Sequence, residues 1–316
     1  MYFLRAERFV FSIICALFAV DLVLVAVKGV GVDVAGYSLS LAIGGGLLLL
    51  GHIYRSKKRE ERMAAALISA SLFILFSICG SVFNYMFLPI QYPTIDHALI
   101  HIDGVIGYDW RSAVELVAHV PLIGRALFIV YMTSLPQLLL TIIILGFSGD
   151  YRRLQHFLLT GVLGALAGII FWIFFPSYGP SAYQDLPEWV LETTPLAVTP
   201  DYGKELIQLG GEGPTYLSPA SVLGLIAFPS FHIFMAAMSV WFVPRYRFLV
   251  AVSIAINLTM IPAVLVQGGH HLCDIVGGML AFAFICPSAR WLLDRMEADG
   301  HGSARPSPGV ETQTPN

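Results

Sequence analysis

Charge is what this 316-residue chain has least of: Asp, Glu, Lys and Arg make up 12% of it, against roughly 25% in a soluble domain. That deficit excludes a disordered chain, a solvated coiled coil and a nucleic-acid-binding surface. The net charge of −3 leaves no general basic field for a polyanion. Cysteine is scarce too. Cys15, Cys79, Cys273 and Cys286 show no CxxC spacing and fall in or beside apolar runs, so they read as small buried hydrophobes rather than a disulfide framework. No fixed-period repeat is visible, and none of the glycine clusters resembles a phosphate loop. What remains is apolar. A hydrophobic content of 57% and a mean hydropathy of +0.75 describe an integral membrane protein.

A helix needs about 20 mostly apolar residues to cross a hydrocarbon core of about 30 Å. Candidate runs are Phe9 to Val27, Gly36 to Tyr54, Met63 to Phe87, Leu122 to Phe147, Phe157 to Pro176, Phe248 to Val266, Ile275 to Leu293 and the shorter, uncharged Pro229 to Val243. The expectation is an all-α fold, a polytopic membrane helical bundle of about eight transmembrane helices. The first run exceeds the length of a signal-peptide core and no convincing cleavage site follows it, so it reads as a retained helix.

Cytoplasmic loops are enriched in Lys and Arg. Of the 18 such residues, all but Lys28, Arg111, Arg125 and Lys204 fall on one side of the alternating spans. Both termini are therefore expected in the cytoplasm, with two long segments, 88–121 and 177–228, roofing the outer face. Apolar positions at Ile95, Leu99, Ile102 and Ile106 predict an amphipathic interfacial helix in the first of these. The final stretch, 295–316, has the composition of a disordered cytoplasmic tail.

Ionisable residues inside spans are costly and mark function by default. Two groups stand out, both opening spans on the outer face. In FPSFH, Pro229 and Ser230 suit a helix start and put His232 in the first turn, where free N–H groups and the helix dipole favour a phosphate. Taken alone, that histidine could equally be a buried one bonded to a carbonyl. In GGHHLCD, His270 and Asp274 are at i, i+4, one helical turn apart, so a carboxylate can orient an imidazole, with His271 turned elsewhere. Two histidines, an aspartate and a helix N-terminus together suggest phosphoryl transfer through a phosphohistidine. One histidine attacks phosphorus and the other serves the leaving and entering oxygens. No metal or cofactor is called for.

These residues resemble the type 2 phosphatidic acid phosphatase superfamily, whose signature is KxxxxxxRP, PSGH and SRxxxxxHxxxD. FPSFH matches the second block with Phe231 for the usual Gly, and His270 to Asp274 matches the HxxxD half of the third. KxxxxxxRP is missing, and Ala263 and Val264 stand where Ser and Arg of the third block would be. Inositol phosphorylceramide synthases and the similar sphingomyelin synthases also lack this clamp. FFPSYGP, from Phe174 to Pro180, is similar to the FFPTAPP of the former, and HHLCD resembles their HHYxxD.

The resemblance spans roughly Ile95 to Arg290. It implies an inositolphosphotransferase-like catalytic core of six helices over 63–294, preceded by two additional helices in 1–62. It further implies that His270 is the nucleophile, His232 the acid/base and Asp274 the orienter, with Ser230, Phe231, Ser177, Tyr178 and His271 lining the phosphate. The expected partners are membrane lipid substrates. The expected activity is transfer of a phospho-headgroup from a phospholipid to a lipid or other alcohol. The alternative is a phosphatase hydrolysing a lipid or isoprenoid phosphomonoester.

The lost cations bear on that choice, because a phosphomonoester carries about −1.5 to −2 charges near neutral pH and a phosphodiester one. A weaker clamp suits the diester, although Arg111, Arg125 and Lys204 could restore charge from the loops. A transporter is the non-enzymatic alternative, but transporters commonly place ionisable groups near mid-membrane in broken helices, and these lie at span starts. His97 and His101, flanked by Asp96 and Asp103, invite a metal reading. No third ligand lies at a diagnostic spacing, and roofing the site is the simpler role. Compact loops, a short tail and the lack of a eukaryotic sorting motif fit a bacterial inner membrane with the site facing the periplasm, and a Golgi-type membrane with a luminal site satisfies the same charge pattern.

Overall fold

The computed structural model describes residues 3–243 and 246–302, which form an all-α bundle. Its helices are α1 (Arg5–Lys28), α2 (Val34–Ser56), α3 (Glu61–Tyr85), α4 (Asp96–Ile106), α5 (Trp110–Ala118), α6 (Pro121–Met132), α7 (Ser134–Ser148), α8 (Tyr151–Phe174), α9 (Glu188–Thr193), α10 (Pro200–Glu212), α11 (Phe231–Phe242), α12 (Arg247–Gln267) and α13 (Leu272–Gly302). Six of them, α1, α2, α3, α8, α12 and α13, are long and apolar enough to cross a membrane.

Two expected spans differ. Leu122 to Phe147 forms two helices, α6 and α7, parted at Thr133. Pro136 has no N–H to offer Met132, and the hydroxyls of Thr133 and Ser134 turn back to the carbonyls of Val130 and Tyr131. On its other side α6 meets α5 at 117°. The run after Pro229 is also shorter than a span, because α11 has 12 residues. At the far end α13 continues to Gly302, so the first part of the expected tail is helical; residues 303–316 lie outside the described ones.

The core centres on α3, whose Ile68, Leu72, Leu75 and Phe76 pack among α1, α2 and α8. A second cluster joins α7, α8 and α11 through Ile142, Phe157, Phe234 and Met238. Glycines let α8 approach closely: a Cβ on Gly164 would lie 2.2 Å from the Phe234 ring, and one on Gly161 2.6 Å from Phe73. At one end the buried Arg55 bridges Glu7 of α1 and Glu61 of α3, fastening the first helix pair to the core.

At the opposite end lies the roof, made of α4, α5, α9, α10 and their loops. The N-terminal pair is tied to it. A two-residue parallel bridge joins β1 (Gly31–Val32) to β2 (Tyr216–Leu217). Asp33 caps α2 through the Gly36 N–H and accepts from the Ser218 hydroxyl, and Lys28 donates to the Leu88 carbonyl.

The helix expected from the apolar positions of the first outer segment is α4, and its inward face carries two acids. Asp96, Leu99 and Asp103 are buried, while Ile102 and Ile106 are 46% and 65% exposed. The acids stand seven residues apart, two turns along one face.

Candidate active site

The FPSFH segment begins α11 at Phe231. Ser230 is the N-cap, its side chain accepting from the Ile233 N–H, and the Ser230 N–H donates to the Asp274 carbonyl at 3.2 Å. The amides of Phe231 and His232 find no protein acceptor among the described residues, so two donors at the positive end of the helix stay open. His232 is partly exposed. Its ring stacks on Tyr131 of α6, with centroids 4.4 Å apart and planes at 23°, and meets His270 edge-on at 6.1 Å.

His270 and His271 precede α13 rather than lying within it, because Gly268 closes α12 and Gly269 turns at φ +59°. The helical face expected to pair His270 with Asp274 is therefore replaced by a cap. Asp274, at the third position of α13, reaches back to the His271 N–H at 2.9 Å and to His270 Nδ1 at 2.8 Å. With the carboxylate accepting, Nδ1 carries the hydrogen and Nε2 keeps its lone pair. His270 is 4% exposed and Asp274 fully buried.

Other carboxylates and the roof hold the same turn. Asp103 accepts from the Leu272 and Cys273 N–H groups, so the first amides of α13 are already occupied, unlike those of α11. His271, 1% exposed, sits between Asp96 (Nε2 to Oδ1, 3.2 Å) and Asp103 (Nδ1 to Oδ2, 3.6 Å). Burial alone would lower the His271 imidazole. The hydrogen bond to Asp96 and the charges of Asp274, Asp96 and Asp103 outweigh it and hold its pKa above the ordinary value. Asp96 in turn accepts from the Ser177 hydroxyl, the Tyr178 and Gly179 amides and the Tyr183 hydroxyl.

Gly179 must be glycine on two grounds. Its φ is +89°, and a Cβ there would lie 2.2 Å from the Gly269 carbonyl oxygen. Gln267, fully buried, donates to the Gly124 carbonyl and accepts from the Ala197 amide. Burial, with the charges of Asp103 and Asp274 beside it, pushes the Tyr108 hydroxyl up, so it stays protonated and donates to the His270 carbonyl.

The structure thus brings His232, His270 and Asp274 together. The remaining residues expected at the phosphate are distributed otherwise. Ser230 spends its hydroxyl on the cap. Ser177 and the Tyr178 amide serve Asp96, the Tyr178 ring lies against Trp172 and its hydroxyl against Gly210, and His271 is enclosed by carboxylates. Phe231 stacks on Phe234 with planes at 14°. Arg111 pairs with Glu115 and Lys204 with Asp185, while Arg125 is exposed on α6. Ala263 and Val264 are fully buried in an apolar cluster of α12. His97 and His101 are exposed, His97 beside the Tyr183 ring.

Tyr108, Tyr131 and Gln267 were not recognised from sequence, and Asp96 and Asp103 only as flanks of His97 and His101 in the roof, not as anchors of the 270–274 turn. Nor was Asp21, a buried acid within α1. Only the i, i+7 spacing of Asp96 and Asp103 offered a signal.

An imidazole oriented by a buried carboxylate thus faces a second histidine at an open helix N-terminus inside an all-α membrane bundle. The chain belongs to the PAP2 superfamily: that family's model matches residues 97–286, more than half its length, from α4 into α13. The superfamily consists of phosphatases and phosphotransferases, which makes the protein an enzyme of that kind. The match does not separate the superfamily's branches. No curated protein and no solved structure matches the chain.

Proposed function

We propose that the protein is a membrane lipid phosphotransferase that moves a phospho-headgroup from a phospholipid to an alcohol through a phosphohistidine. The observation that carries this is His270, its Nδ1 bonded to Asp274, facing His232 beside two open amides of α11. His270 Nε2 attacks phosphorus. The P–N bond forms as the P–O bond to the donor lipid breaks, and His232 supplies the proton that the departing oxygen needs. The acceptor hydroxyl then attacks phosphorus, passes its proton to His232, and the P–N bond breaks to restore His270. The amides of Phe231 and His232 stabilise charge on the phosphoryl oxygens.

Transfer is favoured over hydrolysis of a monoester by how little positive charge is at hand. Arg111 and Lys204 are engaged by Glu115 and Asp185, and no side chain at positions 263 and 264 can carry charge. Two amide dipoles suit the single charge of a diester better than the near-double charge of a monoester. In this reading residues 63–294 are the catalytic core and 1–62 an added helix pair. The site faces the periplasm of a bacterial inner membrane, with both termini in the cytoplasm.

The test is mass spectrometry of products after the purified protein meets mixed phospholipids, a phosphatidic acid and a ceramide or diacylglycerol acceptor. A new headgroup-bearing lipid that disappears with His270→Ala is expected. Free phosphate from phosphatidic acid, with no transfer, would make it a phosphatase, and activity surviving in His270→Ala would overturn the covalent mechanism.

A further inference from the structure

Two apolar cavities adjoin beneath the site. One, of about 600 Å³, reaches His232 and lies among α3, α8, α11 and α13; the other, of about 770 Å³, lies among α2, α3, α7, α8 and α11. Each alone has the size of a pocket for a drug-sized ligand, about 300–1,000 Å³. They share a short wall of Phe76, Ser77, Leu135, Ala165 and Phe231. Both extend to residues on the outside of the bundle: the first at Phe171 and Phe284, 36% and 73% exposed, the second at Leu139 and Leu140, 49% and 55% exposed.

Phe231 is the member of that wall adjacent to the chemistry. It precedes His232, lines both cavities, and is held flat against Phe234, whose ring is in turn seated on Gly164. It is also where FPSFH departs from PSGH. A glycine at that position would remove the ring and let the two spaces run together.

We propose that the cavities take the two hydrocarbon chains of one lipid, one on each side of Phe231, so that this residue selects two-chain over one-chain substrates. The inference rests on the lipid reading of the site given above. Two chains leaving one glycerol or sphingoid backbone diverge just below the headgroup. A rigid ring one residue from the acid/base histidine is placed to part them there while the phosphate stays at the α11 amides. Gly168 provides an independent handle. It lines only the first cavity, and a Cβ on it would meet nothing within 4 Å, so a larger side chain can fill that space without disturbing the helix.

The experiment uses full-length His270→Ala protein in detergent, so that binding is read apart from turnover. Native mass spectrometry compares retention of dioleoyl phosphatidylglycerol, a diester, with that of its 1-oleoyl lyso form. A preference for the two-chain probe of more than about tenfold is expected, the discrimination a methylene or two commands in an apolar pocket. Phe231→Ala and Gly168→Leu, each added to His270→Ala, should bring the ratio towards one. Equal retention of the two probes, or a ratio that neither substitution moves, overturns the proposal. A preference that responds to both substitutions, in a protein whose wild type turns over no lipid, would leave the two-chain site standing and refute the catalytic reading instead.

Discussion

Replacing Asp96 by alanine tests how much of the roof's hold on the 270–274 turn, shared with Asp103, rests on this buried carboxylate. Asp96 is fully buried and takes hydrogen bonds from Ser177, Tyr178, Gly179, Tyr183 and His271. Removing it strands two backbone amides, worth about 1–3 kcal/mol for each one left without a partner. It also strips a buried imidazole of its nearer carboxylate, and breaking such a pair costs about 3–5 kcal/mol. Because losses around one group are not additive, the expected cost is about 4 kcal/mol, a large share of a total stability of roughly 5–15 kcal/mol. Asp96→Asn keeps one acceptor oxygen and should lose about half as much. The assay is thermal unfolding in detergent, together with protease nicking of 88–121 and 177–228. Nicking should begin well below the global transition in Asp96→Ala. A variant within about 1 kcal/mol of wild type, with an intact roof, would refute the reasoning.

Protonation of His271 gives a second test. Its folded pKa is raised, so its contribution is whole below the ordinary value of 6.5 and is lost as pH rises through the folded value. Roof proteolysis should therefore increase from mildly acidic to alkaline pH in the wild type and lose that dependence in His271→Gln; a flat or opposite wild-type profile counts against it. Tyr131 is expected to fix the His232 ring by stacking, so Tyr131→Leu should lower kcat about threefold to tenfold, the worth of an aromatic pair, with KM little changed. Tyr131→Phe keeps the stack and should keep kcat; if it loses as much as leucine, the hydroxyl is the working group and the stacking account fails.

Much of this molecule is legible locally. A twenty-residue apolar run is its own signal, and α1, α2, α3, α8, α12 and α13 follow from it. Leu122 to Phe147 shows where the signal is blind: mean hydropathy does not register that Pro136 lacks an N–H, and that missing donor accompanies the break at Thr133. His232, His270 and Asp274 were legible because their spacing encodes a local geometry, although that geometry proved to be a helix cap rather than a helical face. What stayed hidden depends on contacts across the chain. Asp96 meets His271 at a separation of 175 residues. The apolar rhythm of Ile95, Leu99, Ile102 and Ile106 marks α4 as a helix, with Ile102 and Ile106 facing outwards, but it carries no sign that Asp96 and Asp103 face inwards to partners far along the chain. Tyr131 carried no signal at all.

The cap on α13 has a consequence for how the enzyme comes into being. The helix starts on carboxylates from opposite ends of the catalytic region: Asp274 is its own, but Asp103 comes from α4. Chains are made from the N-terminus, and among the described residues α13 emerges after every other helix. Until it is inserted, α4 has no His271 to neutralise its two acids, and the His270–His271 turn has no roof to brace it. In the proposed mechanism a half-made chain in the membrane therefore already contains His232 yet lacks the group that would attack phosphorus. On that proposal, reactivity towards the surrounding lipids is withheld from the nascent protein until α13 is in place.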